Sequence, residues 1–209
     1  MDISIDRTCE LLRPYGVSVD AHLYDLIGIY ISILLQWNQK ISLTAVTEPS
    51  KILKFHFGES LFAGIDVIDR EGRLADVGSG AGFPGLVLAM ANPGLFVTLI
   101  ESNSKKAAFL SEAARKMGLK NVKVRRSRME EFPSEPEAFD FVTSRALGQF
   151  YKLLAWSSGT LSVHGKLVLW LGDGDATTIS EERGWEWLKL VRIPDSEQRC
   201  LLMGKPIRP

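Results

Sequence analysis

The residues best placed to do chemistry lie in one short stretch, Leu74-Ala75-Asp76-Val77-Gly78-Ser79-Gly80-Ala81-Gly82-Phe83-Pro84-Gly85. An apolar run ends in an acid, a glycine-rich turn follows, and a second apolar stretch of helical character comes next. Glycine allows positive φ and lets a ligand approach the main chain with no Cβ in the way, while a following helix start offers unpaired N–H groups. The pattern predicts a strand, a ligand-holding turn and a helix. An ordinary βα loop of about 2 to 6 residues does not call for so many glycines.

Two ligand classes use such a turn. Gly80-Ala81-Gly82-Phe83-Pro84-Gly85 satisfies the G-x-G-x-x-G of dinucleotide folds, which places a nicotinamide-dependent oxidoreductase among the alternatives. The second class is S-adenosylmethionine, which has no phosphate and needs close main-chain approach to its amino-acid portion. Its fold pattern ends the first strand in an acid two residues before G-x-G-x-G, and Asp76, Gly78, Gly80 and Gly82 fit in that register. Glu101, at the end of the next predicted strand, is a carboxylate acceptor for two ribose hydroxyls and serves either ligand.

The elements that must hold this turn are legible as periodicity. Predicted strands run over 73–77, 95–100, 122–124, 139–143 and 166–171, with helical stretches between them, among them 104–117 ended by Gly118. Repeated units of this length imply an α/β fold with a mostly parallel sheet and helices on both faces, with ligands at the carboxyl ends of the strands. Residues 1–62 read as helical throughout. Asp20 is an N-cap for a helix towards Trp37 with Leu23, Leu26, Ile27, Tyr30, Ile31 and Leu34 on one face, and Pro49 opens another. The chain therefore divides into an N-terminal helical extension over 1–65 and a domain over 66–209 in one compact unit. Near the end, a helix over 175–183 precedes strands over 185–193 and 199–203, paired antiparallel about Pro194-Asp195.

Bulk properties narrow the function classes. Twenty-five basic residues balance twenty-five acidic ones, so total charge gives no argument for nucleic acid. Distribution does: Lys105, Lys106, Arg115, Lys116, Lys120, Lys123, Arg125, Arg126 and Arg128 face the single acid Glu112 over 105–128, a candidate RNA-contacting surface or else a solvated basic face. Lys40, Lys51 and Lys54 form a second, sparser candidate. Cys9 and Cys200 lie far apart outside any metal-ligand pattern, so no metal site is expected. The first residues lack a signal-peptide pattern and no apolar run reaches the roughly 18 to 20 residues of a membrane span. The expectation is a cytoplasmic protein, a monomer by default.

Several separate segments resemble the RsmG (GidB) family, bacterial methyltransferases that act on N7 of a guanine in small-subunit (16S) ribosomal RNA. Trp37-Asn38 with Leu43-Thr44 is similar to that family's WN…NLT, and His56 with Ser60-Leu61 to its H-x-x-D-S-L. The turn through Phe83-Pro84-Gly85 is similar to G-x-G-x-G-[LF]-P-G, Arg128-Met129-Glu130-Glu131 to R-x-E-E, and Phe139 through Ala146 to F-D-x-x-x-S-R-A. The resemblance covers about residues 23 to 172. It implies a Rossmann-like S-adenosylmethionine-dependent methyltransferase fold with an antiparallel C-terminal strand, and ribosomal RNA or the small ribosomal subunit as partner.

It also implies a site. Gly78 and Phe83 would line the donor's amino-acid and sulfonium region, with Ser79 and Gly80 giving main-chain contacts and Glu101 holding the ribose. Met129 and Glu130 would flank the adenine. Arg145 would bind the donor carboxylate or the RNA backbone, the alternative for it and Glu130 being a solvated charge. Guanine N7 carries no proton, so no general base is expected and His56 reads as a hydrogen-bonded structural residue. Ser42 (for Asn), Glu59 (for Asp) and Leu171 (for Lys) depart from the family pattern, which motivates a third alternative, a non-catalytic RNA-binding relative.

Overall fold

The computed structural model describes residues 3–132, 138–145 and 148–208. Among them, a seven-stranded sheet carries the fold: β1 (Glu71–Val77), β2 (Gly94–Ile100), β3 (Val122–Arg125), β4 (Phe139–Arg145), β5 (Leu161–Gly172), β6 (Trp185–Arg192) and β7 (Arg199–Pro206). The order is β3-β2-β1-β4-β5-β7-β6. The first five strands are parallel to one another, while β7 runs antiparallel between β5 and β6. The chain reverses its direction of sheet-building between β1 and β4, so their carboxyl ends open the crevice where such sheets bind ligands.

Period-two alternation builds a core on each face. On β5, Val168 and Trp170 join one apolar cluster and Leu167, Leu169 and Leu171 the other. The first face is covered by α5 (Gly85–Ala91) and α6 (Ser104–Lys116), and beyond them by the N-terminal helices α1 (Ile5–Leu12), α2 (Ala21–Asn38), α3 (Pro49–Ile52) and α4 (Glu59–Asp66). The second face is covered by α7 (Phe150–Thr160) and α8 (Asp173–Ser180). One apolar cluster is continuous from Leu11 on α1 to Met203 on β7, so the N-terminal helices and the sheet share a core.

Asp20 caps α2 as its spacing predicts, accepting the Leu23 N–H at 2.7 Å. The expectation of helix throughout 1–62 is corrected over 39–48, where the chain makes a non-helical connection. Asn38 closes that connection: its Oδ1 accepts the N–H groups of Leu43 (2.8 Å) and Thr44 (3.1 Å), and its Nδ2 donates to the Thr44 carbonyl (2.9 Å). A polar side chain satisfying three main-chain groups is worth more to this bend than to a helix end. Between α3 and α4 the helix widens into a π-helical turn, Leu53–Gly58. There Gly58 is required by packing, because a Cβ on it would lie 2.5 Å from the Tyr15 ring. The last helix is also shifted from its expected 175–183, beginning at Asp173 and ending at Ser180.

Candidate functional site

The glycine turn leaves β1 at Val77 with Gly78, Gly80 and Gly82 at φ +72°, +56° and +87°, which is the left-handed backbone the sequence implies. It is held from three sides. From β2, the Ile100 carbonyl accepts the N–H of Gly78 at 2.9 Å, and Glu101 Oε2 accepts the N–H of Gly80 at 2.8 Å. From within β1, Asp76 Oδ2 accepts the Gly85 N–H at 3.3 Å, and Asp76 Oδ1 accepts the Thr143 hydroxyl at 2.9 Å. From α2, the Tyr30 hydroxyl donates to the Ala81 carbonyl. Asp76 is almost wholly buried, and that burial pushes its carboxyl up to about 6 against the pull of its hydrogen bonds. It is an internal brace for the helix start.

Close packing explains Gly85: a Cβ there would lie 2.6 Å from Asp76 Cβ and 2.7 Å from Leu99 Cδ2. The turn thus presses against the sheet on its Gly85 side. On the Gly78 side a cleft of about 260 Å³ opens, lined by Val77, Gly78, Ile100, Ser102, Ser127, Arg128, Met129, Glu130 and Gln149. These come from the carboxyl ends of β1, β2 and β3 and from the start of α7, the expected side of a parallel sheet.

Of the residues singled out from sequence, Gly78, Met129 and Glu130 line this cleft. Ser79 and Gly80 lie on the turn behind it, with the Ser79 hydroxyl donating to the Asp76 carbonyl at 2.7 Å. Glu101 is buried between the turn and α6, its Oε1 accepting the Asn103 N–H at 2.8 Å while Oε2 takes Gly80. Each oxygen therefore keeps acceptor capacity for a further donor. Met129 is buried against the second core cluster, whereas Glu130 is exposed and pairs with Lys152 at 3.2 Å; main-chain donation, and after it Lys152, holds its carboxyl below the usual range.

Phe83 and Arg145 face the N-terminal helices instead. Phe83 stacks on His56 with ring centroids 4.4 Å apart and meets Tyr30 and Phe57 edge-on. His56 Nε2 is 2.8 Å from the Thr44 hydroxyl, and burial, with the nearby Arg145 charge, lowers its pKa to about 4. The imidazole is neutral at pH 7, consistent with its structural reading.

Arg145, at the end of β4, donates from Nη2 to the Phe55 carbonyl at 3.0 Å and lies 3.2 Å from Glu59 Oε2. Its Nη1 is buried with no hydrogen-bond partner among the described residues. Glu59, only 1% exposed, also meets Arg199 Nη2 at 2.5 Å, and Arg199 in turn lies over the Phe55 ring. Burial raises the Glu59 carboxyl despite both arginines. Ala146, the last residue of that motif, lies outside the described residues.

Sequence reasoning missed Ser102, Ser127, Arg128 and Gln149 as cleft residues and Tyr30 as a clamp on the turn. The first three sit just past predicted strand ends, which is the signal that would have found them. Tyr30 was legible only as a core position of α2. Leu171 is buried within the second core cluster, and Ser42 is exposed on the 39–48 connection.

A family model described as rRNA small subunit methyltransferase G (GidB) matches residues 24–192. The ribosomal RNA small subunit methyltransferase G of Sorangium cellulosum is 41% identical over 149 residues, covering 69% of this chain and 62% of that protein. Its counterpart in Xanthomonas oryzae pv. oryzae is 40% identical over 181 residues, covering 84% of each. Among solved structures, a SAM dependent methyltransferase from Aquifex aeolicus superposes with a TM-score of 0.58 at 21% identity, over 77% of this chain and 99% of that one. M. jannaschii TYW2 in complex with AdoMet superposes with a TM-score of 0.60 at 14% identity, over 81% and 80%. The fold is the Rossmann-like methyltransferase fold, and by its family match over most of its length the chain belongs to the GidB family, rRNA small subunit methyltransferase G.

Proposed function

We propose that the chain transfers the methyl group of S-adenosylmethionine to N7 of a guanine in small-subunit ribosomal RNA, in the cytoplasm. The observation that carries the reading is the braced glycine turn opening onto a cleft at the carboxyl ends of β1–β3, in a member of this family. The residues fit the donor. Gly78 offers a main chain without a side chain, each Glu101 oxygen retains acceptor capacity, and the buried Ser127 hydroxyl, a cleft residue, has no partner among the described residues.

In this reading Gly78, Ser79 and Gly80 hold the amino-acid portion by main-chain contact, with Phe83 backing the turn. Glu101 accepts the ribose hydroxyls, and Met129 covers the adenine face with Glu130 at its rim. Arg145, turned to Glu59 and the Phe55 carbonyl, steadies the end of β4 beside the site. The donor supplies an electrophilic methyl on a sulfonium; the protein supplies alignment. Guanine N7 attacks through an in-plane lone pair and loses no proton, so the barrier is lowered chiefly by in-line placement at about 3 to 3.5 Å. No side chain is needed as a base, in keeping with a neutral, buried His56.

Labelled methyl transfer to ribosomal RNA from a strain lacking this protein, followed by mapping of the modified base, tests the reading. Label at a guanine N7 is the expected result. Calorimetry should show one donor bound per chain, and no heat with S-adenosylmethionine or its demethylated product refutes the site. Family membership leaves the dinucleotide-dependent oxidoreductase and the non-catalytic relative without support.

A further inference from the structure

The basic run over 105–128 is divided by the fold into a cluster towards the carboxyl end of β3 and one towards its amino end. Lys105 and Lys106 occupy the first turn of α6 and Arg115 and Lys116 its last, so they stand roughly 15 Å apart along the axis. Arg125 closes β3 at its carboxyl end beside Ile100, and Arg126 and Arg128 follow it, Arg128 lining the donor cleft. Lys120 and Lys123 lie at the other end with Arg73 and Phe96, around a separate apolar depression.

Lys116 pairs with Glu112 at 3.2 Å; the other eight make no ion pair among the described residues. Ordinary structural roles account for some of these charges. Cations in the last turn of a helix suit its dipole, and charged side chains on β3, an edge strand, discourage edge-to-edge pairing. Neither role accounts for Lys105, Lys106, Arg126 or Arg128. Lys105 and Lys106 sit at the end of α6 where the dipole disfavours cations and where the first turn holds no acid. Arg126 and Arg128 lie past the strand that needs protecting.

We propose that Lys105, Lys106, Arg125, Arg126 and Arg128 form a track for the phosphates of a single-stranded or looped RNA segment. Running over the β3 edge to the mouth of the cleft, it presents the target base there. Arg115, Lys120 and Lys123 play no part in it. The inference rests on the methyl-transfer reading for its choice of partner. Arg115, in the last turn of α6, stands roughly 15 Å from Lys105 along the helix, beyond a Debye length of about 8 Å, and is screened from it, whereas the cleft-side charges can each neutralise a phosphate and release counterions.

The test compares two triple variants, Lys105→Ala/Lys106→Ala/Arg126→Ala and Arg115→Ala/Lys120→Ala/Lys123→Ala, both sparing the cleft-lining Arg128. Binding of small-subunit ribosomal RNA lacking this modification is measured by fluorescence anisotropy against salt, with donor binding followed by calorimetry. The cleft-side triple should weaken RNA binding by about tenfold to a hundredfold and flatten the slope of log K against log salt by about 2, at roughly 0.7 per lost single-strand contact. Donor affinity should stay unchanged in both, and the far-side triple should bind RNA within about twofold of the parent. Equal losses in the two triples, a loss only in the far-side triple, or no loss in either overturns the track. Because binding is read directly, absence of methyl transfer by the parent chain would refute the functional reading while leaving the comparison decisive.

Discussion

Glu59→Gln isolates the charge that holds Arg145. Glu59 is 1% exposed and sits 3.2 Å from Arg145 Nη2 and 2.5 Å from Arg199 Nη2. Gln keeps the volume, so the change leaves no cavity and the loss reports the charge alone. Arg145 is 17% exposed at its side chain, and its remaining partner is the Phe55 carbonyl. Breaking a buried pair by removing one partner costs about 3 to 5 kcal/mol, because the other charge is left uncompensated. Arg199 is 38% exposed and regains water, so its share is discounted. The Glu59 carboxyl is itself raised by burial, and a neutral side chain relieves that penalty. Together these place the loss near the lower limit, about 3 kcal/mol. In urea, with a slope of about 2 kcal/mol/M, the midpoint should fall by about 1.5 M. Arg145→Met and the double variant complete a cycle whose coupling should exceed about 1 kcal/mol. Glu59→Asp, the residue usual in the family, keeps the charge but is one methylene shorter, and should lose less than Gln does. A midpoint shift below about 0.3 M, or a coupling near zero, would refute the claim that this carboxylate holds the end of β4.

Gly85→Ala should destabilise the chain by about 1 to 3 kcal/mol, since its Cβ would fall 2.6 Å from Asp76 Cβ; an unchanged melting temperature contradicts that packing. Tyr30→Phe removes the donor to the Ala81 carbonyl and should cost about 1 kcal/mol while weakening donor binding, read by denaturation and calorimetry. Equal donor affinity would show that the clamp does not shape the turn. Asp76 and His56 should tilt the pH dependence of stability in opposite senses. The raised Asp76, near 6, gives stability that is full below about 4 and lost as pH rises through 6, whereas the lowered His56, near 4, gives stability present above about 6.5 and lost as pH falls towards 4. Between pH 4 and 6, Asp76→Asn should make the slope more positive than in the parent chain and His56→Gln more negative. Slopes moving in the same direction would refute the assignment.

The sheet and the turn were legible because both are local. Apolar runs of strand length, the acid of Asp76 and the glycines at 78, 80 and 82 report their conformations within a few residues. Ends were less legible than existence: β5 begins at Leu161 rather than 166, because Leu161 pairs with Phe139 across an irregularity in the β4 register that no local pattern encodes. The Glu59 cluster was illegible for the same kind of reason. A glutamate in a helical segment reads as solvated, and its burial depends on Arg145 and Arg199, which come from two strands far along the chain. Asp76 was legible as the acid of the glycine-turn pattern, but its own work, bracing Gly85 and Thr143, required the sheet to be assembled.

The N-terminal segments that resemble the family form one line of contacts to the turn. Asn38 closes the 39–48 connection and so places Thr44; the Thr44 hydroxyl meets His56 Nε2; and the His56 ring lies on Phe83, at the end of the glycine turn. Tyr30 reaches the same turn at Ala81 from the neighbouring helix. None of these side chains lines the cleft. Their common effect is to fix one flank of the turn while Glu101 and Asp76 fix the other, leaving Gly78 facing open space. A reaction that moves no proton to the enzyme takes its rate from alignment, and alignment is lost when a site is loose by about an ångström. Residues far from the reacting atoms can then be as restricted in type as those that touch them. That is why His56 can be constrained without serving as a base.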